Sequence, residues 1–193
     1  MPQLNPELLD LAGRALKEDA VDRDVTTTSL EEFLKSRGDA LPSRVAFEIR
    51  AKEPGIFSGF DWARAVGAHA GLVVESILHE GAHFEIGAGV CQGQGTAAAV
   101  LSTERTLLNG LQLSCGVAVQ TRTFVERVQR AWADRGNSGS APTVHHTRKV
   151  PPMLRELILK AVEAGGGQRH RKDLSDRILF KENHKYFLLK NDH

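Results

Sequence analysis

Hydrophobic periodicity divides the chain into an opening helix, a run of short strands, and a long helical stretch followed by a basic tail. Over residues 6–20, Leu8, Leu9, Leu11, Ala12, Ala15 and Leu16 recur at helical spacing, which predicts a helix with one apolar face. Asn5 supplies an N-cap and Pro6 the first helical position. Residues 22–28 (DRDVTTT) break the pattern and read as a turn held by local side-chain-to-backbone bonds. Residues 30–42 read as an insert, a short amphipathic turn followed by the exposed SRGDALP. Alternation then takes over: Val45, Phe47 and Ile49 against Ala46, Glu48 and Arg50 predict a strand with one wet face. A turn at 53–55, a short strand at 56–59 and a helix at 60–70 follow. Residues 73–78 and 90–96 are strand-like, with 82–85 a short piece beside them. Residues 97–113 and 114–133 are both helical, and 136–142 (GNSGSAP) is a linker or loop. A β-branched run ending in Thr147-Arg148-Lys149, a proline-started helix, and a second apolar run ending in Lys181 complete the chain. That strand–helix–strand order predicts parallel strands with helices outside. The pattern thus places an α+β domain at 1–113 and an α/β domain at 114–193.

Composition narrows the class. At 193 residues, with 41% hydrophobic and 25% charged positions, the chain can bury a core in one domain or two small ones. No apolar run is long enough to span a bilayer, and the N-terminus is acidic with no apolar leader, so a cytoplasmic protein is expected. Cys91 and Cys115 form neither a disulfide framework nor a metal spacing and read as reduced thiols. A net charge of +1 argues against non-specific nucleic-acid binding. The charge is unevenly placed, however. From Thr143 onward there are eleven Lys/Arg, six Asp/Glu and five His, a net +5, against −4 for the 142 residues before.

That positive charge collects at strand ends and glycine-rich turns, where α/β proteins bind anions. Thr147, Arg148 and Lys149 end one strand, His170 and Arg171 follow the triple glycine at 165–167, and Lys181 ends the next apolar run. Arginine forks grip carboxylates or phosphates bidentately, lysine supplies a movable point charge, and histidine can donate or carry a proton. Convergence of these groups would suit a substrate with several negative charges. Other motifs carry less. Gly93 and Gly95 lack the third glycine of a phosphate-binding fingerprint. His145 and His146 are adjacent on a strand and so face opposite sides, which disfavours one shared metal. Asp173 and Asp176 read as caps or partners of nearby arginines. Composition and spacing therefore give an anion-binding α/β protein and no named reaction.

Five blocks carry a resemblance: LKEDAVDRDVTT, AKEPGIFSG, ERTLLNGLQLSCGVAVQT, HTRKVPPMLR and AVEAGGGQRHRKDLSDRILFKENH. Together, in this order, they resemble quinolinate phosphoribosyltransferase, the carboxylating nicotinate-nucleotide pyrophosphorylase. The resemblance implies a pentosyltransferase of NAD synthesis that joins quinolinate to phosphoribosyl pyrophosphate, releasing pyrophosphate and carbon dioxide, with Mg²⁺ on the pyrophosphate. It also implies an α+β sandwich followed by an α/β barrel, and a homodimer in which one N-terminal domain covers the other subunit's barrel mouth. On the matching positions, Arg148, His170 and Arg171 would grip the carboxylates of quinolinate, with Thr147 lining the pocket and Arg105 reaching in from the partner. Lys149 and Lys181 would lie near the phosphates and carboxylate and act catalytically.

The sequence also departs from the family pattern. His146 stands where the family usually has an acidic residue, and Val150-Pro151 replaces a more polar pair. Family members continue past the KENH block through strands that carry an acidic pair for Mg²⁺ and a glycine-rich phosphate loop, whereas this sequence stops at FLLKNDH. The expectation is therefore an incomplete α/β barrel: the quinolinate-gripping half of the site, no protein ligands for Mg²⁺, and uncovered apolar residues over 174–189. The alternative is a shortened homologue that binds quinolinate or a full-length partner without turning over alone.

Overall fold

The computed structural model describes residues 3–189. Lys190–His193, part of the FLLKNDH run, and the side chain of Leu189 lie outside the described residues. The first helix, α1 (Pro6–Glu18), forms where the periodicity places it, with the Asn5 side chain accepting the Glu7 N–H at 2.9 Å. Leu8, Leu11 and Ala12 are its buried face. A single 3-10 turn (Val21–Arg23) leads to Asp24, whose carboxylate accepts the Thr26 and Thr27 amides and caps a second helix, α2 (Val25–Ser36). The local bonds expected in DRDVTTT are present, but they start a helix instead of closing a turn. Thr27 is its buried residue, so the apolar face that periodicity relies on is nearly absent.

Next come β1 (Val45–Arg50), β2 (Gly55–Ile56), α3 (Phe60–Ala70), β3 (Val73–Ser76), β4 (His83–Phe84) and β5 (Gly89–Gly95). Strands β1, β5 and β3 form an antiparallel sheet in that order, with Val45 opposite Gly95 and Val73 opposite Gln94; β2 and β4 form a separate antiparallel pair. Gly59, at the head of α3, has no side chain to cap it. The Glu80 carboxylate fills that role from another part of the chain, accepting the amides of Gly59 at 3.0 Å and Phe60 at 2.8 Å.

The two helices expected at 97–113 and 114–133 are one, α4 (Ala97–Asp134), 38 residues long and so about 57 Å from end to end. The small residues Ser114-Cys115-Gly116 do not interrupt it. One internal glycine costs a helix only about 1 kcal/mol, which packing on both sides outweighs. Phe57, Trp62, Val66, Leu8, Leu107 and Leu111 make the centre of the core, and Leu157 from α5 (Arg155–Ala164) joins it. The second half of the chain is thereby docked on the first.

The mixed α/β character stands, while the strands expected in the second half are reduced. Residues 143–150 and the segment after the triple glycine meet in one parallel bridge, His145 to Gln168, and no closed barrel forms among the described residues. Residues 178–181 are not a strand but precede a short helix, α6 (Glu182–Leu189). A strand requires hydrogen-bonding neighbours along its length, and among the described residues the run at 143–150 pairs only with Gln168 and that at 178–181 pairs with no strand. The helix expected from Pro151 begins later, at Arg155, after a turn in which Met153 takes a positive φ of 69°.

Candidate functional site

The triple glycine brings the two basic segments together. Gly165, Gly166 and Gly167 donate to the carbonyls of Ala161, Glu163 and Val162 at the end of α5, closing the helix and reversing the chain. Each is needed for its own reason. A Cβ on Gly165 would lie 2.5 Å from the Ala118 carbonyl of α4, Gly166 has φ +89°, and a Cβ on Gly167 would lie 2.7 Å from Val162. Gln168 then donates to the Val144 carbonyl at 2.8 Å and accepts from the His146 amide at 3.2 Å. Because the pairing is parallel, the segments carrying Thr147-Arg148-Lys149 and Arg169-His170-Arg171 leave the bridge in the same direction. The His145 ring reinforces this, with Nδ1 3.4 Å from the Arg169 carbonyl and its edge against the His170 ring at 6.1 Å.

Within this pair Arg148 is half-buried, while Thr147, Lys149 and His170 are exposed. Arg171 is buried, one of its Nη1 protons donated to the Arg177 carbonyl at 3.3 Å. The buried Nε of Arg148 and the buried Nε2 of His146 have no hydrogen-bond partner among the described residues. Arg105 and Lys181 are not gathered in. Arg105 is exposed on α4, and Lys181 is exposed ahead of α6, its amide donating to His184 Nδ1 at 3.1 Å. No hydrogen bond or ion pair joins either of them to the two basic segments among the described residues.

Sequence reading passed over the residue that anchors the second segment. Arg169 donates through Nε and Nη2 to both oxygens of Glu163, at 2.7 and 3.1 Å, and through Nη1 and Nη2 to Glu156, at 3.5 and 3.3 Å. Hydrogen bonding to Glu163, then to Glu156, pushes its guanidinium pKa up. Glu156 is buried and also accepts from the Asn5 side chain at 3.3 Å. On the far side of His170-Arg171, Lys172 pairs with Glu7 at 2.9 Å, and that carboxylate raises the pKa of the lysine. The available signal was the seven-residue spacing of Glu156 and Glu163, which puts both on one face of α5.

Asp173 accepts from the Ser175 amide and hydroxyl, which lowers its pKa, and Asp176 accepts from the Lys172 amide. Asp176 also pairs with Arg177 at 3.9 Å, as expected of a partner of a nearby arginine, whereas the bonds of Asp173 close a turn and cap no helix. Among the described residues no group of three His, Cys, Asp or Glu side chains could hold a metal ion. Two surface cavities of about 350 Å³, one beside Trp62 and Asp19 and one beside Phe47 and Glu104, include none of Thr147, Arg148, Lys149, His170, Arg171 or Lys181.

Residues 24–115 match the profile of the quinolinate phosphoribosyl transferase N-terminal domain, and residues 117–190 match that of its C-terminal domain. The chain belongs to the quinolinate phosphoribosyltransferase family. Among the family's members, it is 38% identical over 139 residues to the probable carboxylating nicotinate-nucleotide pyrophosphorylase of Bacillus subtilis, a match spanning 71% of this chain and 45% of that protein. With the protein of the same description from Methanothermobacter thermautotrophicus it shares 29% identity over 177 residues, 92% of this chain and 58% of the relative. The crystal structure of NadC from Streptococcus pyogenes superposes with a TM-score of 0.77 at 29% identity, covering 93% of this chain and 59% of the solved one. The chain thus spans less than two thirds of the length of each of these family members. No helix among the described residues is long and apolar enough to cross a membrane.

Proposed function

We propose that this chain is a quinolinate phosphoribosyltransferase of cytoplasmic NAD synthesis, and that the parallel pair around His145 and Gln168 is its quinolinate-binding floor. The observation that carries the reading is the alignment of two basic segments at one end of that pair, in a chain whose family is named for this transfer. Quinolinate is a dianion. Arg148 offers it a cation from one segment and Arg171 from the other, with His170 as a hydrogen-bonding ring beside Arg171 and Thr147 lining the pocket between them. Arg105, exposed and with no hydrogen bond or ion pair of its side chain among the described residues, reaches the same site of a second subunit in a homodimer.

In the proposed reaction the pyridine nitrogen bonds to the anomeric carbon of phosphoribosyl pyrophosphate as the C–O bond to pyrophosphate breaks, its electron pair leaving on pyrophosphate. The carboxylate next to the quaternised nitrogen then departs as carbon dioxide. Its bonding electrons pass to the ring carbon, which takes up a proton. Lys149 and Lys181 stabilise the charge that collects on departing pyrophosphate, and orientation with electrostatic stabilisation supplies most of the acceleration. Mg²⁺ enters this proposal on the pyrophosphate of the substrate. The described residues do not supply a metal-holding group, and no step here passes through one.

Calorimetric titration of quinolinate into the purified chain, with its mass checked by light scattering, tests this. Binding is expected, and Arg148→Ala and Arg171→Ala are each expected to weaken it at least about tenfold, about 1.4 kcal/mol, as loss of a charge-assisted carboxylate contact should. Unchanged affinity in both variants would remove the pocket assignment.

A further inference from the structure

We infer that Arg169, gripped by Glu156 and Glu163, is a positioning residue that sets the spacing between the two basic segments and so lets the site distinguish a dicarboxylate from a monocarboxylate. The inference rests on the quinolinate reading above. Arg169 immediately precedes His170 and Arg171, yet its guanidinium is committed to α5: two donors go to Glu163, and Nη1 and Nη2 reach Glu156. A fork so engaged has little left for a substrate. Its carbonyl, meanwhile, faces His145 Nδ1 on the neighbouring segment, one residue beyond the bridging Gln168. Arg169 therefore ties the second basic segment to the helix on one side and to the first basic segment on the other.

An exposed ion pair would not justify such a role, since surface pairs contribute little. This one differs in geometry and in having one buried partner. Arg169 and Glu163 are exposed, but Glu163 is held bidentately, and Glu156, the second acceptor, is only 8% exposed. Glu156 also takes the Asn5 side chain, and Lys172 reaches Glu7, so residues on both flanks of His170-Arg171 are connected to the start of α1. His170 and Arg171 sit on a short span fastened at each end.

Fastening matters for chemistry because quinolinate carries its carboxylates on adjacent ring carbons at one fixed separation. Both are satisfied only if the cations of the two segments stand at the matching distance. A monocarboxylate such as nicotinate needs only one of them. Displacing the second segment by about 1 Å, the scale at which misplacement becomes costly, would therefore cost quinolinate a contact and leave nicotinate nearly unaffected. Arg169→Gln removes the charge and the fork; Arg169→Lys keeps the charge and loses the fork.

The test is calorimetry of quinolinate and of nicotinate with the wild-type chain and with Arg169→Gln, Arg169→Lys and Glu163→Gln, alongside amide hydrogen exchange. For Arg169→Gln, quinolinate affinity is expected to fall about tenfold and nicotinate affinity less than about twofold, with Arg169→Lys between wild type and Gln. Exchange at the Gln168 and His146 amides should quicken while the β1–β5 amides keep their protection. Equal losses for both acids, or no loss for quinolinate, would overturn the specificity role. A wild-type chain that binds neither acid counts against the functional reading instead. In that case quickened exchange at Gln168 and His146 in Arg169→Gln still supports the clamp, and unchanged exchange overturns it. Should Arg169→Gln fail to fold, Arg169→Lys and Glu163→Gln decide the same questions.

Discussion

Asp24 shows how one side chain serves two levels of structure. Its carboxylate caps α2 locally and also accepts the Ser102 hydroxyl of α4 at 2.8 Å. The Thr27 hydroxyl, then the Thr27 amide and Ser102, hold its pKa down to about 2 from 3.8. Because the folded value lies below the unfolded one, the ionised form stabilises the fold above the ordinary carboxylate pKa. That contribution is lost as pH falls from about 4 towards about 2. Asp24→Asn should therefore lose less of its urea midpoint over that interval than wild type; parallel losses would exclude Asp24 as a contributor. The local half of this network was legible in DRDVTTT, whereas the bond to Ser102 was not, since the two residues lie 78 apart in sequence. Burial likewise pushes the Cys91 thiol up to about 12 and raises Cys115. Cys91 should resist thiol reagents at neutral pH until the chain unfolds, and its rapid labelling in the native protein would contradict its burial.

Among the elements, α4 separates what a pattern can and cannot say about glycine. Gly110 and Gly116 sit in the same helix. A Cβ on Gly110 would come 2.1 Å from Trp62 Nε1, itself donating to the Leu107 carbonyl, whereas a Cβ on Gly116 meets nothing within 4 Å. Replacing either by alanine gains up to about 1 kcal/mol in helix propensity. At Gly110 that gain is outweighed by overpacking, which costs about 1–3 kcal/mol. Gly110→Ala should thus lower stability and Gly116→Ala raise it, as read from urea unfolding; the same sign for both would show that the Trp62 contact is not tight. Helix and strand positions in the first half were mostly visible in the sequence because each element buries one face at its own period. Helix α2, with little buried face, was not. The strands expected at 143–150 and 178–181 failed for the complementary reason: an apolar run marks strand propensity, but a neighbour is required to realise it.

Across the whole molecule, the stretch from 174 to 188 leaves a run of apolar side chains uncovered. Leu174, Ile178, Phe180, Tyr186, Phe187 and Leu188 are each more than half exposed, Ile178 at 86%. Exposed apolar surface promotes association. The chain is expected to show a light-scattering mass that rises with concentration, and Ile178→Glu with Phe180→Glu to suppress that rise; an equal rise in the variant would place the contact elsewhere. The sequence by itself determined the family, most helices and strands of the first half, the gathering of basic residues towards the end of the chain and the apolar run after it. These follow from composition, period and motif, all of which are local in the chain. Only the tertiary structure decided which cations stand together. It joined the segments carrying residues 147–149 and 169–171 through one parallel bridge, tied neither Arg105 nor Lys181 to them by a hydrogen bond or ion pair among the described residues, and made Arg169, which the sequence reading passed over, an anchor on Glu156 and Glu163. Such outcomes depend on distances between segments, which folding fixes through packing and hydrogen-bond pairing and which no local pattern encodes.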